Sequence, residues 1–97
     1  MPGCSIAHID VRNPEGFQRH REQVSPLSAR FGGRSIVPGG EVRPLEGDRP
    51  IRRLVVLEFP SIDDAQRFCD GPEYRPSKRL RRDSSMTDVL RVSGYAP

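Results

Sequence analysis

Among two histidines and thirteen carboxylates, three groups have the types and placement for proton transfer. His8 and Asp10 lie two apart on one side of an alternating stretch, and Glu58 is the lone carboxylate in an apolar run. A histidine titrates near neutrality and a carboxylate drawn out of water rises towards it, so such a set can move protons on a bound organic molecule. Arg34 and Arg91, if turned to the same side, would hold an enolate or carboxylate. Each also has a purely structural reading. His8 fits a satisfied interface histidine, Glu58 fits an ion pair with an arginine across a dimer, and Asp10 fits a polar strand end.

These residues must be held by strands. Arg53 to Phe59 has five apolar positions in seven, bounded by Pro60 and by a Gly/Pro/charge cluster at 47 to 50, which predicts a strand at the centre of a sheet. Val55, Leu57 and Phe59 fall on one face; Leu54, Val56 and Glu58 fall on the other. Cys4 to Arg12 alternates in the same way, placing Ala7, Ile9 and Val11 opposite Ile6, His8, Asp10 and Arg12. Parallel pairing of these two strands would make His8 and Asp10 neighbours of Glu58.

Asn13-Pro14-Glu15 starts a helix whose stripe is Phe17, Val24, Leu27 and Phe31, with a kink or restart expected after Ser25 because Pro26 follows. Gly32-Gly33 ends it, Arg34 to Val37 forms a short strand, and residues 40 to 52 read as a surface loop. Ser61 caps a second helix carrying Ile62, Ala65, Phe68 and Cys69, closed by Gly71-Pro72. Glu73 to Arg82, interrupted by Pro76, reads as a short helical turn, and Thr87 to Ser93 alternates as a fourth strand. His20 reads as exposed or stacked at the edge of the first helix.

The order strand, helix, strand, strand, helix, strand is the ferredoxin-like βαββαβ pattern, an α+β fold with a four-stranded antiparallel sheet and both helices on one face. Residues 1–97 are expected to form a single domain. Leu54, Val56 and Ile6 then lie on a face that nothing in one copy covers, at a cost of ~1.5–3 kcal/mol for each side chain left wet. A homodimer closing over that sheet face removes the cost, and Leu54 and Val56 would line what it encloses.

Composition narrows the partners. Sixteen basic against thirteen acidic residues leave a net charge of only +3, and the basic run at 75 to 82 has no aromatic platform beside it, so nucleic acid is not expected. No apolar run suggests a signal peptide or a membrane span. Cys4 and Cys69 fit reduced thiols in a cytoplasmic protein. His8 and His20 lie on different elements, so no metal is expected, and no cofactor either.

The runs Phe31-Gly32-Gly33-Arg34, Gly39-Gly40, Leu45-Glu46-Gly47, Val55 to Ser61, Pro72-Glu73-Tyr74 and the later Arg81 resemble, in order and spacing, the domain-of-unknown-function 1330 family of the dimeric α+β barrel superfamily. The resemblance spans residue 5 to Gly94 and implies a dimeric α+β barrel with a cavity beside the sheet. It also implies kinship with cofactor-free monooxygenases, polyketide cyclases, isomerases and chlorite dismutase-like haem proteins. Tyr74 and Arg81 match family positions and are candidate substrate contacts, although Tyr74 also suits a packing anchor. Asn13, His20 and Pro38 depart from the family's usual Asp, aromatic and Arg. The expected function is the binding of a small, partly apolar organic molecule, with cofactor-independent cyclase, isomerase or lyase chemistry. A non-catalytic binding or accessory protein is the alternative.

Overall fold

The computed structural model describes residues 2–95. Strand β1 (Gly3–Val11) leads into helix α1 (Pro14–Arg30), then strands β2 (Arg34–Pro38) and β3 (Leu54–Phe59). Helix α2 (Ile62–Asp70), a 3-10 turn (Pro72–Tyr74), helix α3 (Arg75–Ser84) and strand β4 (Ser85–Ser93) follow. Local chemistry sets the boundaries. Asn13 caps α1 by accepting from the Gly16 amide at 3.3 Å, and Ser61 caps α2 by accepting from the Asp64 amide at 3.1 Å. Gly32 ends α1 at φ 78°, a conformation that costs glycine nothing.

Two local expectations change. Of the kink or restart expected after Ser25, the restart does not occur: helix α1 runs through Pro26 as one helix. The segment expected to be a short helical turn is helical but longer, the ten-residue helix α3, because Pro76 sits in its first turn, where a missing N–H disrupts no helical bond.

The four-stranded sheet has the order β2-β3-β1-β4, with every neighbouring pair antiparallel. This is the ferredoxin-like architecture. The barrel is corrected: the sheet is open, with β2 and β4 at its edges and no pairing between them among the described residues. The parallel pairing of β1 and β3 is also corrected. Helix α1 returns the chain so that β2 runs with β1, and the reversal from β2 to β3 then turns β3 against β1. The resulting register sets His8 opposite Leu54 and Cys4 opposite Glu58. His8 and Glu58 are therefore four pairing positions apart, about 14 Å along the ladder.

The covered face carries Ser5 and Ile9 from β1 and Phe59 from β3, all buried. Phe59, Phe68 and Tyr74 form its aromatic spine, with centroids 5.4 Å apart for Phe59 and Phe68 and 4.6 Å for the stacked Phe68 and Tyr74. Helix α2 approaches β1 so closely that a Cβ on Gly3 would lie 2.4 Å from the Ile62 Cα, which requires glycine there. Helices α1 and α3 meet through small or polar groups: Ser77 and Ser84 are buried, and the Ser77 hydroxyl donates to Gln23 Oε1 at 2.6 Å. Val55 and Leu57 face the helices yet are only half-buried. A cavity opens beside them.

Candidate functional site

That cavity, of about 130 Å³, lies between the middle of the sheet and helices α1 and α3. The sheet supplies Ala7, Ile9, Val55 and Leu57 to its wall, and the helical side supplies Phe17, His20, Tyr74 and Arg81. Most of the lining is apolar, and its polar chemistry is concentrated on the helical side.

His20 projects from α1 and is 6% exposed. Its Nδ1 lies 2.9 Å from the carbonyl oxygen of Ser77 on α3. A carbonyl can only accept, so Nδ1 carries the proton and Nε2 carries the lone pair. Burial pushes the imidazole below its ordinary pKa of 6.5; the Ser77 bond partly opposes this, and the Arg81 charge lowers it further. At neutral pH the ring is an uncharged base, and Nε2 has no hydrogen-bond partner among the described residues.

Tyr74 stands beside it, ring centroids 6.2 Å apart, and its hydroxyl accepts from Arg81 Nη1 at 3.2 Å. Burial pushes the phenol above its ordinary value, with Arg81 opposing the rise, so the hydroxyl keeps its proton and can donate it. Arg81 Nε is fully buried and has no partner among the described residues. Cys69 also borders the cavity, but burial pushes its thiol up, away from the nucleophilic thiolate.

The residues singled out from the sequence divide between the two faces. His8, Asp10, Leu54, Val56, Arg34 and Glu58 lie on the face opposite the helices. There His8 Nε2 accepts from the Arg52 amide at 3.3 Å, and Asp10 pairs with Arg12 at 3.1 Å. Glu58 pairs with its cross-strand neighbour Arg34 at 2.8 Å within one chain, so the expected inter-copy partner is replaced by a local one. The cavity of the single chain lies on the other, helix-covered face. Arg91 points the other way, being paired with Ser5 on the helix side of the sheet. Tyr74 and Arg81 do meet, and at the cavity.

His20, read from the sequence as exposed or stacked at the helix edge, is instead buried, with its ring against Phe17 and Tyr74. A signal was present. Position 20 falls three after Phe17 and four before Val24, squarely on the apolar stripe of α1. No group of three or more His, Cys, Asp or Glu comes together among the described residues. No helix in them is long and apolar enough to cross a membrane.

The family described as Domain of unknown function (DUF1330) matches residues 2–95. The chain belongs to that family. No curated protein matches it. Solved structures similar to this DUF1330 chain include the RPA0582 protein of unknown function from Rhodopseudomonas palustris, 18% identical over 99% of this chain and 84% of that one, with a TM-score of 0.78. SnoaB, a cofactor-independent oxygenase from Streptomyces nogalater, is similar in a mutant form at 16% identity over 99% and 95%, with a TM-score of 0.73. A dimeric ferredoxin-like protein of unknown function from Jannaschia sp. CCS1 is 10% identical over 97% and 100%, with a TM-score of 0.73. At such identities the likeness establishes the shared ferredoxin-like fold of the DUF1330 chain and nothing finer.

Proposed function

We propose that the DUF1330 domain binds a small organic molecule with an acidic C–H or O–H bond in the helix-side cavity, and that His20 removes that proton. The observation carrying this reading is the Ser77 carbonyl 2.9 Å from His20 Nδ1, which fixes the tautomer and leaves Nε2 as a neutral base on an apolar cavity wall. The Tyr74 hydroxyl, accepting from Arg81, keeps its own hydrogen to donate to the oxyanion that forms. Apolar surroundings raise the worth of both interactions, because charge developing there is poorly screened.

Proton removal followed by return at another carbon is isomerisation, which needs no cofactor. The fold shared with a protein described as a cofactor-independent oxygenase fits cofactor-free chemistry on an electron-rich anion. A second copy closing over the open sheet face completes the reading as a homodimer. Leu90 at 61% and Met86 at 64% exposure, on the same face as Leu54 and Val56, give that face the apolar character an interface needs.

The test is deuterium exchange in D2O, followed by NMR, at the acidic carbon of acetylacetone and of phenylpyruvate. Acceleration by the protein that disappears in folded His20→Asn supports the reading. Exchange no faster than in buffer, or equally fast in the variant, overturns it; ligand-induced stabilisation without exchange would leave a binding protein.

A further inference from the structure

The cavity of about 130 Å³ is small beside the ~300–1,000 Å³ of pockets that enclose a whole drug-sized ligand. Tyr74 and Arg81, which form its polar wall, also line a second and more open cleft of about 620 Å³ bordered by α2, α3 and β4. The two spaces share four lining residues, Cys69, Tyr74, Arg81 and Val89, of which the phenol and the guanidinium are the polar pair.

The cleft beyond is cationic. Lys78, Arg81, Arg82 and Arg91 line it against Asp63 and Asp70, four positive charges to two negative, a local excess of +2. None of the four cations has a salt-bridge partner among the described residues. Lys78 donates to the Cys69 carbonyl at 2.6 Å, a neutral acceptor that leaves its charge uncompensated. Arg81 spends one Nη on Tyr74 and leaves a fully buried Nε with nothing to bond. A buried, unpaired N–H on a charged group is costly, and a carboxylate accepting from it would remove that cost. Both acidic residues of the cleft lie on α2, whereas the cations come from α3 and β4.

We infer that the ligand is an organic acid, its carboxylate held by Arg81 with Lys78 and Arg91 in the α2–α3–β4 cleft while its acidic C–H bond reaches into the helix-side cavity. This deepens the reading given above and rests on it for the position of the reacting carbon. A 2-oxo or 3-oxo acid with a short apolar group meets both demands. The planar guanidinium of Arg81 suits the planar carboxylate, which accepts two parallel N–H bonds.

The experiment is calorimetric titration of phenylpyruvate, of its neutral methyl ester and of benzylphosphonate into the wild type, Arg81→Gln, Arg91→Gln and His20→Asn. Phenylpyruvate is expected to bind about tenfold or more tightly than the ester, as loss of a charge-assisted bond implies. Arg81→Gln should abolish that preference, and the exposed Arg91→Gln, which disturbs no buried contact, should reduce it and lower its salt dependence. Equal binding of acid and ester, no binding of either, or benzylphosphonate outbinding phenylpyruvate overturns the inference. His20→Asn separates the two proposals: acid preference retained with exchange lost supports both. Acid preference without any His20-dependent exchange in the wild type leaves the carboxylate site and removes the catalytic reading. Exchange of the ester as fast as of the acid, at equal affinity, does the reverse.

Discussion

His20 Nδ1 lies 2.9 Å from the carbonyl oxygen of Ser77, a bond that ties helix α1 to helix α3 across 57 residues of chain. One contact thus joins two elements and also decides which imidazole nitrogen is basic. Because the partner is a backbone atom, side-chain substitution at Ser77 does not remove it. Ser77→Ala should lose only the hydroxyl bond to Gln23, about 1 kcal/mol of stability, and keep His20-dependent exchange. Chemical denaturation and the NMR exchange assay check both halves; loss of exchange in a folded Ser77→Ala protein contradicts the assigned tautomer.

The same burial makes folding stability depend on pH. The folded imidazole has its pKa below the ordinary 6.5 that it regains on unfolding, so between the two values the unfolded chain binds more protons. Stability is therefore full above about pH 7, falls as pH drops through the unfolded value, and levels off below the folded one. Urea midpoints measured from about pH 7.5 to about pH 5 should fall more steeply for the wild type than for His20→Asn. Parallel curves for the two proteins would show that His20 is not buried as described.

Tyr74→Phe isolates the donor. The hydroxyl lost accepts one bond from Arg81 at 3.2 Å, so the cost to folding should be about 1 kcal/mol. The cost to turnover should be larger, on the order of a hundredfold in kcat, if the hydroxyl donates to a developing oxyanion. A kcat near that of the wild type, with the ring still in place, would assign Tyr74 to packing alone.

Sequence patterning goes far for the sheet and stops short at the site. Alternation sorts Ala7, Ile9, Val55, Leu57 and Phe59 onto the helix-facing side, because a strand buried on one face must repeat every second residue. Strand direction is different. It depends on counting chain reversals, and the antiparallel register separates His8 from Glu58 although both lie on one face. Helix α3 hides for a compositional reason: the residues it buries are Ser77 and Ser84, so no apolar stripe announces it. His20 lies on a visible stripe, but its role comes from a carbonyl on that same hidden helix. A tertiary contact of this kind leaves no trace in local periodicity.

Glu58→Gln gives a direct comparison of the two faces. Glu58 pairs with Arg34 on the side away from the cavity, with the arginine side chain 72% exposed. An ion pair so open to solvent contributes ~0–1 kcal/mol, so the variant should fold with nearly unchanged stability. Exchange should also be unchanged, since the sheet separates Glu58 from His20. If exchange collapses in Glu58→Gln while stability holds, the reacting molecule sits on the open face instead.

The open face itself is tested by charge. Leu90 is opposite Ile6 in the β1–β4 ladder, and Ile6 is opposite Val56 in the β1–β3 ladder, so the three side chains form a row across the sheet. Leu90 is 61% exposed, so Leu90→Glu removes little from the fold of one copy. In a dimer closed over this row, the same change would bury two carboxylates without partners, which costs several kcal/mol. Sedimentation equilibrium should show two subunits for the wild type and one for Leu90→Glu. A wild-type protein that sediments as one subunit at high concentration would leave Leu90, Ile6 and Val56 facing water, and the dimer would fall while the helix-side site stood.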